Sequence, residues 1–205
     1  MKVLLGSLAV LIVVAVVAAC GGGRGGYATP AYRVVERGDG LEVRDYPPLV
    51  LVGVSASGKK GDDGAFMRLF RYISGRNENG TKIAMTTPVL MQAGSGGGDR
   101  AMAFVMPSEM GVEKVPKPSD EALRPSVRQA GRYVVFRDSG WWKKRDEERA
   151  AARVKDWVER RGLKVQGEPE VAYYDPPWTL GPLRRNELLW RIGPTATVNA
   201  TDAGK

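Results

Sequence analysis

The chain contains no histidine and a single cysteine among its 205 residues. Without imidazole there is no His-based proton shuttle, no His-assisted nucleophile and no His-ligated metal. One cysteine, Cys20, excludes an internal disulfide and a thiolate cluster. Acid–base or nucleophilic chemistry would fall to Asp, Glu, Lys, Tyr or Ser, and neither a carboxylate pair nor a Ser-Lys spacing stands out. The glycine-rich stretch "AGSGGGDR" (Ala93–Arg100) lacks the Lys-Ser/Thr of a phosphate loop and is a hairpin loop instead. These absences argue against an enzyme.

What is present begins with the N-terminus. Lys2 is followed by an almost wholly apolar run, Val3–Val17, and by Val17-Ala18-Ala19-Cys20. The pattern is that of a secretory signal, and its ending resembles a lipobox, in which the cysteine becomes the lipidated first residue of the mature chain. Read as an uncleaved anchor, the run is close to the ~17 residues that can span a bilayer. Acylated Cys20 would tie the chain to a membrane, outside the cytoplasmic membrane in either reading. Gly21 after the cysteine, rather than Asp, points to the outer membrane in a two-membrane host. Residues 1–19 then form the signal, 20–30 a glycine-rich tether, 31–193 the folded domain and 194–205 a disordered tail. Lys and Arg outnumber Asp and Glu by 31 to 23. This envelope placement removes nucleic acid as the partner for that charge. The expected state is a monomer.

The folded part reads as short strands and two helices. "YRVVERG" and "LEVRDY" flank a Gly-Asp-Gly turn, and "LVLVGVSAS" follows a Pro-Pro boundary. Asp62 or Asp63 caps a helix ending at Gly75, with Phe66, Leu69, Phe70 and Ile73 as its apolar stripe. Met67 and Arg71 flank that stripe. A second helix over "KKRDEERAAARVKDWVERRG" puts Ala150, Val154, Trp157 and Val158 on one face and stops at Gly162.

The two halves resemble each other. "VLVGVSAS" corresponds to "YVVFRDSG", the first helix to the second, "MTTPV" to "YYDPP" and "AFVMP" to "ELLWRI". The spacing stays close to that from Pro88 to Pro176. A duplicated unit of this kind predicts an α+β fold in which both copies share one sheet about a pseudo-twofold axis.

Seven motifs then occur in a telling order: "EVRDY" (Glu42–Tyr46), "FRYISGRNENG" (Phe70–Gly80), "MTTPV" (Met85–Val89), "FVMP" (Phe104–Pro107), "PKPSD" (Pro116–Asp120), "YDPP" (Tyr174–Pro177) and "RRNE" (Arg184–Glu187). Together they resemble the SOUL haem-binding protein family over Tyr32 to Ile192. The resemblance implies a distorted, mostly antiparallel β-barrel of two related halves flanked by two helices. It also implies haem or another tetrapyrrole as ligand. Axial imidazole is impossible here. Met67, Met85, Met102 and the tyrosines are the remaining iron-ligand types, although such methionines are more often core filler. A groove without an iron bond needs apolar walls and a basic rim for the propionates. Met67 and Phe70 offer the wall and Arg71 the rim, at a position where the family carries a basic residue. Met85 facing the groove competes with a plain strand bend at Pro88. Arg184 and Arg185 are either further rim charges or half of an Arg-carboxylate tie. Trp141-Trp142 is either a stacking wall or a buried hinge. The same architecture resembles bacterial effector-binding domains, so two alternatives stand beside tetrapyrrole carriage. One is binding of another amphipathic small molecule, and the other is an envelope interaction role with a vestigial groove.

Overall fold

The computed structural model describes residues 26–56, 61–92 and 100–193. Nine strands pair in one sheet, every neighbouring pair antiparallel. In chain order they are β1 (Arg33–Gly38), β2 (Leu41–Tyr46), β3 (Leu49–Ser55), β4 (Val89–Gln92), β5 (Ala101–Val105), β6 (Arg124–Arg128), β7 (Gly131–Asp138), β8 (Lys164–Tyr173) and β9 (Asn186–Gly193). Helix α1 spans Gly61–Ile73 and α2 spans Lys144–Arg160.

The strand order β1-β2-β7-β9-β8-β4-β5-β3-β6 reads almost the same from both ends. β3-α1-β4-β5 and β7-α2-β8-β9 are the two copies of the repeat, and they meet where β4 pairs with β8. Both helices end in the same geometry. The amide of Arg76 donates to the Arg71 carbonyl and that of Gly75 to Tyr72; Leu163 donates to Val158 and Gly162 to Glu159. Gly75 and Gly162 sit at φ +110° and +65° there, the left-handed turn that closes a helix with glycine. The expected duplicated α+β architecture is therefore present.

One repeat correspondence differs. "MTTPV" runs into the start of β4, whereas "YDPP" follows the end of β8. The long excursion between helix and last strand lies before β4 in the first half and after β8 in the second. The two prolines end opposite ends of equivalent strands.

The sheet has two apolar faces. One lies under the helices, where Val52, Phe104, Val134 and Leu188 of the sheet pack with Leu69 of α1 and Val154 and Trp157 of α2. α2 buries Ala150, Val154, Trp157 and Val158, as its spacing predicts. α1 is rotated slightly from its predicted stripe. Ala65, Leu69, Tyr72 and Ile73 are buried, while Phe70 lies at the exposed edge. Tyr72 wins the inward place because its ring packs in the core while its hydroxyl finds the Pro116 carbonyl at 2.7 Å.

The second face carries Tyr46, Leu51, Leu90, Val105, Tyr133, Val135, Ala172 and Leu189, with no helix residue among them. The sheet covers this face by curling on itself. Arg128 of the edge strand β6 lies 5.0 Å from the Tyr46 ring centroid on β2 and 4.8 Å from that of Tyr133 on β7. The hydrogen-bonded ladder stays open between β1 and β6, giving a distorted barrel that is closed by side chains. β6 carries Pro125 and mostly exposed residues, features that discourage further strand pairing at an edge.

Candidate functional site

Met67, Phe70 and Arg71, the wall and rim candidates from sequence, lie exposed on the outer side of α1. Met67 and Phe70 are 44% and 43% exposed, high values for side chains of this size. The Phe70 ring stacks at 6.1 Å on Phe66, which meets buried Phe104 edge-on at 5.4 Å. The aromatic ledge is thus anchored to the core. Arg71 is exposed, and no ion pair or side-chain hydrogen bond engages it among the described residues. Arg68, by contrast, pairs with Asp120 at 3.3 Å.

The loop behind α1 is tightly held. Asn77 donates its side-chain amide to the carbonyls of Tyr72 (3.1 Å) and Thr81 (2.7 Å) and accepts from the Thr81 amide (2.9 Å). The Glu78 amide donates to the Lys117 carbonyl at 2.9 Å, which joins this loop to the Pro116–Asp120 stretch. Burial pushes the Tyr72 hydroxyl up to about 12, so it stays a donor to Pro116 across the ordinary pH range. Beside this junction is an open groove of about 540 Å3, lined in part by Val112, Val115, Lys117, Leu123 and Arg124.

The Ile83 amide donates to the Ile73 carbonyl at 2.8 Å, bringing the next segment alongside the end of α1. Met85 follows, half-buried and packed against the helix-side core. The Thr86 hydroxyl donates to the Val105 carbonyl at 2.5 Å, and the Thr87 hydroxyl shares a hydrogen bond with Thr29 at 3.1 Å. The Thr87-Pro88 peptide is cis. This turn is built from satisfied, buried hydroxyls and reads structurally as a bend, with Met85 on its inner side.

Arg184 and Arg185 lie elsewhere. α1 packs over β3 and β5, whereas these arginines precede β9 and contact Tyr32 before β1, Tyr174 and Asp175 after β8, and Glu187 on β9. Arg185 reaches Glu187 at 2.9 Å. Glu187 is fully buried and also accepts two bonds from Arg44, at 2.8 and 3.0 Å, and one from the Tyr174 hydroxyl at 2.9 Å. Arg44 continues to Glu42 at 2.7 Å and lies 4.3 Å from the centroid of the Tyr32 ring. Burial opposes ionisation of Glu187, but Arg44 and then Arg185 outweigh it and hold the carboxyl below its usual range. Arg184 instead stacks over Trp141, 4.3 Å from its ring centroid. Trp141 is exposed, while Trp142 is half-buried and stacked on Phe136 at 6.4 Å.

The sequence motifs thus converge in pairs and threes. "EVRDY", "YDPP" and "RRNE" build one buried ionic cluster. "FRYISGRNENG" meets "PKPSD", and "MTTPV" meets "FVMP". Composition alone did not reveal that Glu187 is the centre of the first cluster, because a charged residue in a strand gives no signal of its burial. Among the described residues no group of three or more Asp, Glu, Cys or His is placed to hold a metal.

A curled antiparallel sheet with two repeated halves and a helix on each defines an α+β class of fold, and the similarity to known proteins specifies it further. Residues 27–191 match the family described as SOUL heme-binding protein, and the chain belongs to that family. Heme-binding protein 1 of Xenopus tropicalis is 24% identical over 189 residues, covering 82% of this chain and 93% of that protein. Heme-binding protein 1 of Xenopus laevis matches to the same extent. Among solved structures, the EcmrR C-terminal domain superposes with TM-score 0.56 at 12% identity, over 75% of this chain and 97% of that one. An uncharacterized conserved protein from Listeria innocua gives 0.57 at 13% identity, over 75% and 92%. Those structural likenesses establish the shared fold.

Proposed function

We propose that the chain is an envelope-anchored lipoprotein that binds haem or another tetrapyrrole on the outer face of α1, as a monomer and without histidine ligation. It acts as a binding protein, not an enzyme. Family membership supplies the ligand class. The observation that carries the site is Arg71, an exposed guanidinium without a protein partner among the described residues, next to exposed Phe70 and Met67. A flat apolar ring would cover the Met67–Phe70 ledge while a propionate pairs with Arg71. The cavity lined by Tyr46, Leu90, Arg128 and Leu189 within the curled sheet is about 10 Å3, too small for a ring, which favours the helix surface as the seat.

An absorption titration with haemin and metal-free protoporphyrin tests this reading. The two rings should bind with similar strength, and bound haem should lack a low-spin bis-nitrogen spectrum. Arg71→Ala should weaken both together, by ~1.5–3 kcal/mol for a charge-assisted bond and towards ~0–1 kcal/mol where solvent screens it. A preference for haemin abolished by one Met or Tyr substitution would instead identify an iron ligand. Failure of both rings at micromolar concentration would move the assignment to another amphipathic ligand, for which the Val112–Arg124 groove is the alternative seat.

The anchor is proposed from the apolar run ending at Cys20, which lies outside the described residues. Fatty-acid labelling should be lost in Cys20→Ala; label persisting in that variant would refute acylation at this residue.

A further inference from the structure

The four most exposed large apolar side chains among the described residues lie close together in the chain or in space. Trp178, Leu180 and Leu183 are 82%, 68% and 55% exposed on the excursion between β8 and β9, and Trp141 is 56% exposed. The excursion is not loose. Thr179 donates to the Pro176 carbonyl, Leu183 to Leu180 and Arg184 to Gly181, giving consecutive tight turns. The Gly140 amide donates to the Gly181 carbonyl at 2.8 Å, and Asn186 donates to Gly140 at 2.8 Å, fastening these turns to the end of β7. Trp141 packs so closely on Gly181 that a Cβ there would come within 2.8 Å of its ring. Large apolar side chains held outward by an ordered turn are not an accident of a floppy loop.

The same turn walls a cleft of about 450 Å3 between the β1-β2 hairpin and β7. Four arginines (Arg37, Arg44, Arg137 and Arg184) and two carboxylates line it. Both carboxylates are already engaged: Glu42 by Arg37 and Arg44, and Asp138 by Arg149 at 3.8 Å. Neither Arg137 nor Arg184 has an ion-pair partner among the described residues, and the Arg184 Nε is buried with no hydrogen-bond partner. Exposed Lys143, also without an ion pair, follows the tryptophan pair. Apolar tips directly beside cations that no carboxylate neutralises among the described residues are complementary to the acyl-chain and phosphate layers of an anionic lipid surface. Tryptophan favours that boundary because its body is apolar and its N–H polar.

We infer that the Trp178–Leu183 turn inserts into an anionic bilayer, with Arg137, Arg184 and Lys143 at the lipid phosphates. This contact is made by the folded domain itself. It depends neither on acylation of Cys20 nor on tetrapyrrole binding, and its readout is loop depth, not attachment of the chain.

The test uses the full chain with vesicles whose acyl chains carry bromine, which quenches nearby tryptophan. Subtracting the emission of Trp178→Phe isolates the Trp178 signal from the other four tryptophans. On vesicles containing phosphatidylglycerol that signal should fall at least twofold. The quenching should shrink by more than half on phosphatidylcholine alone, at high salt, or in the Arg137→Gln/Lys143→Gln variant. Unchanged Trp178 emission on the phosphatidylglycerol vesicles overturns the inference and leaves the patch to a protein partner. Equal quenching on the two lipids overturns the assignment of the cations to headgroup phosphates.

Discussion

At the scale of single residues, Glu187 carries the largest consequence. It is a buried carboxylate whose negative charge is balanced by Arg44 and Arg185 and whose lone pairs are taken up by four donors from three residues, two of them those arginines. Replacing one partner of such a pair leaves the other buried and uncompensated, at a cost of about 3–5 kcal/mol. Glu187→Gln should therefore lower the urea midpoint sharply. The pH dependence has a definite sign. The folded carboxyl titrates below its ordinary 4.5, so its contribution is intact above that value and is lost as pH falls through the folded one. Asp45, held low by Arg132 and Arg33, and Glu42, held low by Arg37 and Arg44 against the burial that raises it, act in the same direction. Thermal midpoints should drop on acidification below about 4.5, and the drop should be shallower in Glu187→Gln. Parallel acid profiles for the two proteins would show that Glu187 titrates normally.

At the scale of elements, α1 serves two surfaces. Its inner side, with Leu69 fully buried, holds the helix on β3 and β5, and its outer side presents the ledge and Arg71. Leu69→Ala should cost about 2–5 kcal/mol through transfer and cavity terms. Because Leu69 faces the core, ring affinity measured well below the melting temperature should change far less than stability. A denaturation midpoint unmoved by this change would mean that the helix packs through another face. The elements themselves were largely legible in sequence. The glycine stops at Gly75 and Gly162, the α2 stripe and the Pro47-Pro48 break all read directly from local chemistry. What local chemistry could not give was the rotation of α1. Tyr72 and Phe70 are similar in size, and only the distant Pro116 carbonyl decides which one turns inward.

At the scale of the whole molecule, the repeat predicted the shared sheet, and the structure adds why the two proline excursions do not correspond. It also separates residues that sequence grouped together. Met67, Phe70 and Arg71 share one helix and Met85 lies near its end, while Arg184 and Arg185 lie towards the other half of the sheet. Nothing in a linear motif distinguishes a cation that rims a groove from one that neutralises Glu187; that distinction depends on which strands the sheet makes neighbours. The apolar Trp178–Leu183 turn was likewise invisible as a site, since exposure cannot be read from residue type.

The palindromic strand order also gives the molecule a seam. The two repeats are joined in the ladder by β4 and β8 alone, through four register pairs from Val89–Tyr173 to Gln92–Glu170, whereas β7 and β9 share seven. Glu170 works there as a clasp, accepting from Gln92 at 3.0 Å and from Arg128 at 2.6 Å across the curl of the sheet. Under thermal agitation the halves should part along this line before either half melts, a sub-global opening of the kind amide exchange resolves. Deuterium uptake at Met91 and Val171, which face each other across the seam, should therefore exceed that at Val134 and Leu188. Glu170→Gln should widen the gap, because it loosens the clasp while leaving the strand ladders within each half intact; uniform acceleration across both ladders would show a molecule that opens only as one piece.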